Sequence, residues 1–443
     1  MASVVDSIRS ESPEKRQKFI IEALVGAFGD LLKTVPDAIR GKFRKMAASA
    51  FAFYRGSAAL FYADMARDDE AFTDDKTSRI WIQGDLHAEN FGTYMNSAGM
   101  FVFDVNDFDE AYVGPFTWDV KRLAASLALI GYQKALSDAE IREMIATAAR
   151  SYVAQVKQFA KSAETSNFAL VVANTSGKLT ELLQQTRLST RVSLLDRLTT
   201  IENYDRRITL TKHTQAVDKK TRSNVEKAFQ QYLETIPPKK RMSGLSYTIK
   251  DVAMSRGFGI GSAGVRVFTL LLEGPTQALE NDIILSMKQA RTAAPSRVIT
   301  DKNIHQYFKH NGHRTVVSQR ALQAHADPWL GYTMLDGEGQ LVAEVSPYEG
   351  ELEWDDINKM DDILELLRYL GQATAKVHCT ADVDSDQTLV PFSTDQAIQK
   401  VLAGREEAFV KAMVDFGEQY GAAARDDHRL FVDAFRNHLF PGL

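Results

Sequence analysis

The chain has 443 residues, 44% apolar and 25% charged, a globular mixture that excludes disordered, collagen-like and disulfide-stapled chains. Lys and Arg number 53 against 58 Asp and Glu, a formal charge of −5, so no global attraction to nucleic acid or an anionic membrane is expected. The single cysteine, Cys379, cannot form an intramolecular disulfide or a multi-thiolate zinc site. No apolar run reaches the length of a membrane span, and the opening MASVVDSIRSESPEKRQ has no apolar signal core; a cytoplasmic protein without membrane contact is expected.

Residues 14–66 carry apolar side chains at helical spacing, with Phe19, Ile20, Ala23, Leu24 and Phe28 before Pro36 and Met46, Phe51, Phe53, Leu60 and Phe61 after it. Arg79 to Gln83 is short and rich in β-formers, and Met100 to Val105 follows the turn-forming Asn96-Ser97-Ala98-Gly99. Residues 79–105 are therefore predicted to form a hairpin framing a polar loop. Helical spacing resumes from Trp118 to about Ala160. Residues 205–241 hold ten Lys or Arg against four Asp or Glu and read as a solvated helical surface, with an anion-binding face as the alternative. From Tyr247 the texture turns to strands: 247–253, 265–271, 282–288 and 340–345, with one helix predicted over 314–326. Residues 357–379 and 393–438 are again amphipathic helix. The pattern predicts an α+β chain of two lobes, with a small antiparallel sheet between helical flanks.

The densest polar constellation is Gln83-Gly84-Asp85-Leu86-His87-Ala88-Glu89-Asn90-Phe91-Gly92, followed by Asp104-Val105-Asn106-Asp107-Phe108-Asp109-Glu110. Carboxylates crowded near apolar strands are costly unless a cation or hydrogen bonds compensate them, and carboxylate and amide oxygens suit Mg²⁺. Asp85-Leu86 with Asn90 resembles the D-L-x-x-x-N of kinase catalytic loops, and the wider motif is similar to the H-G-D-L-H-x-x-N loop of aminoglycoside phosphotransferases and choline-kinase-like enzymes. That resemblance implies that Asp85 orients or deprotonates the acceptor hydroxyl and that Asn90 binds magnesium. Asn106-Asp107-Phe108-Asp109 resembles the metal-binding I-D-F-D of those families. The flanking letters favour Asp107 as the magnesium ligand and the offset from Asn90 favours Asp104, so both stay candidates. Asp119, in a segment resembling G-P-x-x-x-D, is implied to be a buried carboxylate bracing the catalytic loop.

A nucleotide site of this kind also needs a glycine loop and a lysine. Gly257, Gly259, Gly261, Ser262 and Gly264 lie between two predicted strands, where backbone N–H groups could approach phosphates; a simple glycine-rich turn is the alternative. Lys288, on the following strand, holds the position of the lysine that contacts the α- and β-phosphates. Strand, glycine loop, strand, lysine strand, helix and strand reproduce the order of a kinase N-lobe.

The catalytic motif nevertheless precedes the glycine loop by some 170 residues. A circularly permuted protein-kinase-like fold is implied, with residues 1–240 and 347–443 forming the helical C-lobe and residues 241–346 the N-lobe-like sheet. The segments Phe53-Tyr54-Arg55-Gly56, Gly84 to Gly92, Phe103 to Glu110, Trp118 to Leu123, Gln319-Arg320 with Gln323, and Ala373 with Val377-His378 resemble the bacterial domain-of-unknown-function family 2252, over roughly residues 40–430. The implied activity is an ATP- and Mg²⁺-dependent transfer to a small hydroxyl-bearing acceptor; nucleotidyl transfer and nucleotide binding without turnover are the alternatives. Gln83 replaces the motif's histidine, no A-P-E segment follows Asp107, and no acidic residue between Lys302 and His325 is available to pair with Lys288. A metallophosphoesterase, suggested by Gly84-Asp85-x-His87, would need a further D-x-H upstream of that segment and an N-H-E downstream, and the chain has neither. Arg55 is expected to pair with an acid, His87 to act locally, and His378 and Cys379, adjacent on a helix, to point apart.

Overall fold

The Ser12 side chain accepts from the Lys15 N–H at 3.3 Å and opens the helix Pro13–Thr34; Pro36 starts the next, Pro36–Met46. Ile20, Leu24, Phe28 and Leu32 recur at helical spacing and are buried. With Phe43 they pack on Phe431 and Phe440 near the other end of the chain, so both flanks build one helical body. Arg16 fixes the join, bonding to Asp64 and Asp427 at 2.6–2.9 Å with all three side chains buried. The computed structural model describes residues 4–161, 167–241, 247–256, 260, 263–323, 325–381 and 387–443.

The largest core lies among the helices Phe116–Gln133, Asp138–Phe159, Met360–Thr380 and Glu406–Arg436. Among the described residues, no helix is long and apolar enough to cross a membrane.

The second part is a six-stranded antiparallel sheet in the order Gly331–Leu335, Glu338–Glu344, Ile283–Gln289, Arg266–Leu272, Ile249–Arg256, Thr214–Ala216. Alternation along Ile283–Gln289 divides its side chains between two faces. Ile283, Leu285 and Met287 pack with Val225, Phe229 and Tyr232 of the helix Lys219–Leu233. Ile284, Ser286 and Lys288 therefore share the opposite face, where Ile284 meets Leu195 and Ile208. The helix Asn311–Leu322 packs on the two strands at the sheet's edge. The basic stretch 205–241 includes two strands, Asp205–Ile208 and Thr214–Ala216, besides its helix.

One predicted pairing is corrected. Ile80–Ile82 pairs with Tyr112–Gly114, and Phe101–Val105 pairs with Phe91–Met95, a strand that the hairpin over 79–105 did not contain. Asn96 explains the register: its Oδ1 accepts from the N–H groups of Ala98 and Met100, each at 3.0 Å, so the turn closes on the strand directly before it. Gly350–Glu351 adds to the free edge of Phe91–Met95, joining the chain that leaves the large sheet to the strand after the polar loop.

Candidate active site

The loop of residues 83–90 runs from the end of Ile80–Ile82 into Phe91–Met95. Asp119, fully buried in the first turn of Phe116–Gln133, accepts from the N–H groups of Gln83 at 2.6 Å and Gly84 at 3.0 Å. Its Oδ2 also lies 3.2 Å from His378 Nε2, whose Nδ1 is 2.9 Å from the Tyr152 hydroxyl. Gly84 has φ +81°, and a Cβ there would sit 2.0 Å from the Glu110 carbonyl oxygen; only glycine lets this loop press against the acidic segment. Asn90 Nδ2 donates to the Asp85 carbonyl at 2.9 Å, and the Asn106 N–H donates to the Asn90 carbonyl at 3.0 Å. Gln83, where the resemblance expects histidine, donates to the carbonyls of Asn106 at 3.3 Å and Asp107. The two polar motifs thus form one hydrogen-bonded unit.

Asp85 lines a cleft together with Asp109, Glu110, Lys42 and Arg291. Arg122, fully buried, donates to Asp85 Oδ1 through Nε at 2.7 Å and also through Nη2, while Nη2 reaches the Tyr54 carbonyl at 3.0 Å. Asp85 Oδ2 accepts no hydrogen bond among the described residues. Burial pushes the Asp85 carboxyl up to about 7, with Glu110 and Asp107 adding to the rise and Arg122 opposing it. A carboxylate with one oxygen fixed and the other free, titrating near neutrality, is suited to take a proton.

Lys288, predicted from its strand position, pairs with Asp109 across 179 residues. Asp107 and Glu110 add to the field that holds the Lys288 ammonium charged. Asp107 has φ +53°, a left-handed conformation uncommon outside glycine, and its Oδ1 accepts from the Asp109 N–H at 3.3 Å. Its side chain is open to solvent. The surrounding protein mass and the Asp109 charge nevertheless raise its pKa, against the pull of Lys288. Arg314, buried on Asn311–Leu322, donates to the carbonyls of Ala111, Asp109 and Arg291 at 2.7–2.8 Å. It ties the acidic segment to the chain leaving the lysine strand. Gln319 on that helix donates to the Gln323 side chain just past its end, Gln323 donates to the Val105 carbonyl at 3.3 Å, and Arg320 donates to the carbonyls of Thr235 and Leu330.

Asp104 stands apart. It is buried and paired with Lys376, and it accepts from the Val105 N–H at 2.9 Å and the Tyr94 hydroxyl at 3.4 Å. It borders a different cavity of roughly 340 Å³, lined also by Lys376, His325 and Leu170. Of the two magnesium candidates, Asp107 is therefore the one beside Asp85 and Lys288. Gly257, Gly259, Gly261 and Ser262 lie outside the described residues. Gly264, at φ +78°, packs against Leu31, Val35 and Ala38, where a Cβ would come within 3.0 Å of Val35, so its conformation serves packing. The neighbouring Val265 lines the Asp85 cleft. Arg55 pairs with Glu89 of the loop. His87 is buried, its pKa driven far down by burial, and its Nδ1 accepts from the Glu89 N–H at 3.2 Å.

Asn90 and Asp107 offer amide and carboxylate oxygens, the hard donors that suit Mg²⁺, and the crowding of Asp107 by Asp109 is a penalty that a cation relieves. Among the described residues no group of three or more His, Cys, Asp or Glu side chains is placed to hold a metal; a magnesium held by one or two carboxylates plus nucleotide phosphates needs none.

Sequence reasoning missed Lys42, Arg291 and Arg297, which also line the cleft, and gave no role to Asp109, Arg122 or Arg314. Burial pushes the Lys42 ammonium down to about 7, Arg291 adds to the fall, and Glu110 and Asp85 oppose it.

The family model described as an uncharacterized protein conserved in bacteria (DUF2252) matches residues 34–434. The chain belongs to this family. No curated protein and no solved structure matches it. The matched span holds residues 83–92, the acidic segment, Lys288 and Lys42, whereas Ala27, which lines the cleft, precedes it.

The two aspartates should behave differently when neutralised. If Asp107 is the magnesium ligand that the resemblance implies, Asp107→Asn should weaken Mg-nucleotide binding by about tenfold, or about 1.4 kcal/mol, without loss of stability. Asp104→Asn should leave that affinity intact and cost on the order of 2 kcal/mol in denaturant unfolding, because Lys376 loses its charge-assisted partner. The reverse pattern would favour Asp104 over Asp107 as the candidate metal ligand.

Proposed function

We propose that the chain is an ATP- and Mg²⁺-dependent phosphotransferase of permuted, two-lobed kinase-like architecture, acting on a small hydroxyl-bearing molecule. The observation that carries this reading is the meeting of Lys288 with the Asp107–Asp109 segment beside Asp85 and Asn90, from parts of the chain some 180 residues apart. Further support comes from the sheet, in which the lysine strand is central and is followed by two helices, Lys302–Tyr307 and Asn311–Leu322, and an antiparallel strand pair.

On this reading Lys288 exchanges part of its contact with Asp109 for nucleotide phosphate oxygens. Asp85, held through Oδ1 by Arg122, offers Oδ2 to the acceptor hydroxyl, aligns it and takes its proton. Asn90 and Asp107 would hold magnesium, which supplies neutralising charge to the transferring group. Asp119 and Gly84 keep the loop's backbone fixed, so that the Asp85 carboxylate needs little reorganisation.

Mg²⁺ and ATP together are expected to stabilise the protein by about 2.7 kcal/mol at 100 times the dissociation constant, more than either alone, as read from thermal unfolding. Product analysis then separates the outcomes: ADP signals phosphoryl transfer, pyrophosphate signals nucleotidyl transfer, and a shift without product signals a binding protein. Absence of any shift with every nucleotide tested would sink the proposal.

A further inference from the structure

Three cations converge on the Asp85 cleft without a carboxylate partner among the described residues. Lys42 Nζ, from Pro36–Met46, donates to the Ile260 carbonyl at 2.6 Å. Arg291 and Arg297, in the stretch after the lysine strand, donate only to carbonyls of the helix Pro13–Thr34: Arg291 to Ala27 at 3.1 Å, Arg297 to Gly26 at 2.9 Å and Ala27 at 3.4 Å. The acids that share the cleft are engaged elsewhere, Asp85 with Arg122, Asp109 with Lys288 and Glu110 with the Ala294 N–H.

The cations also crowd one another. Besides burial, the charge of Arg291 bears on Lys42 and that of Arg297 on Arg291, and the carboxylates of Glu110 and, more weakly, Asp85 at Lys42 and Asp109 at Arg291 offset this without cancelling the fall. Lys42 is only 4% exposed, so water does not relieve the repulsion there. A fourth cation, Arg55, lines the same cleft; it pairs with Glu89 through Nη1, while its Nε is buried and has no hydrogen-bond partner among the described residues. Holding like charges together out of water is costly unless an anion sits among them, and guanidinium forks match the oxygens of a phosphate.

We propose that this part of the cleft is an oxyanion site, built by Lys42, Arg291 and Arg297 to hold a phosphate-type group beside Asp85. The site stands on this geometry; only the source of the anion rests on the phosphotransferase reading. That source is either the nucleotide's own phosphates or an anionic substituent on the acceptor. Gly26 and Ala27 aim the two guanidinium groups through their carbonyls, so the helix Pro13–Thr34 sets the site's rim.

Calorimetric titration of the full chain with inorganic phosphate at constant ionic strength tests the site. Saturable binding of one phosphate per chain is expected. Lys42→Met should weaken it by about tenfold and Arg297→Gln by a smaller measurable factor. Arg297 is exposed, so its variant remains informative if Lys42→Met fails to fold. No saturable binding, binding abolished by chloride at equal ionic strength, or unchanged affinity in Arg297→Gln would overturn the proposal. Repeating the titration with Mg²⁺ and a non-hydrolysable ATP analogue at saturation identifies the source: displaced phosphate means that the nucleotide fills the site, and phosphate bound alongside means that the acceptor is anionic. If phosphate binds and the analogue does not, the oxyanion site stands and the phosphotransferase reading falls.

Discussion

Asp85→Asn is expected to lower turnover by roughly 10³-fold while Mg-nucleotide affinity stays within about twofold of the parent, the size of effect seen when a positioned general base is removed. The amide keeps the shape of the side chain and an oxygen for the Arg122 Nε, 2.7 Å away. It cannot take a proton from an acceptor hydroxyl. In the parent protein the carboxyl sits at about 7, so kcat/KM should fall about tenfold per pH unit below that value and level off above it. The stability effect has its own sign. The folded carboxyl titrates above its ordinary 3.8, so the contribution of its protonated form is complete below pH 3.8 and lost as the pH rises through about 7. The asparagine variant lacks that loss and should gain on the parent between pH 4 and pH 8. Full turnover in Asp85→Asn would remove the residue from the mechanism, and a nucleotide affinity that collapsed with it would place its role in binding.

The parts of this site that were legible in the sequence are those where chemistry and local order coincide. Gly84-Asp85-Leu86 with Asn90 is a contiguous motif, and the alternation of Ile283, Leu285 and Met287 against Ile284, Ser286 and Lys288 puts the lysine on a definite face. The strand Phe91–Met95 was missed because Gly92 and Asn90 read as loop, although the turn at Asn96 fixes it. The strand Gly331–Leu335, short and opened by glycine, was missed for a similar reason. Lys42 was illegible for a different cause. A lysine among Arg40, Arg44 and Lys45 on an amphipathic helix has the pattern of a solvated face, and only the fold buries it beneath Ile260. The partner of Lys288 was sought on a helix and found at Asp109, inside the acidic motif itself. A pairing between residues 179 positions apart leaves no period in the sequence.

Asp119→Asn is expected to cost about 3–5 kcal/mol in denaturant unfolding, the largest single-residue stability effect among the loop-bracing groups. In the parent, Oδ2 accepts from the Gln83 N–H and lies beside His378, and Oδ1 accepts from the Gly84 N–H. All of these atoms are buried, so water cannot substitute. An asparagine has one oxygen for these donors, and its NH₂ must face another donor whichever way the amide turns. At least one backbone N–H is left unmade, each such group costing about 1–3 kcal/mol, and the loss of negative charge beside His378 adds to it. The substitution touches nothing that lines the cleft, so nucleotide affinity per folded molecule should be preserved while the unfolding midpoint falls without change in slope. Turnover should fall by less than in Asp85→Asn, because the loop loses its brace while keeping its proton acceptor. If the midpoint is unchanged, Asp119 does not hold the loop. The rigidity ascribed to the Asp85 carboxylate must then come from Arg122 and the Gly84–Glu110 contact alone.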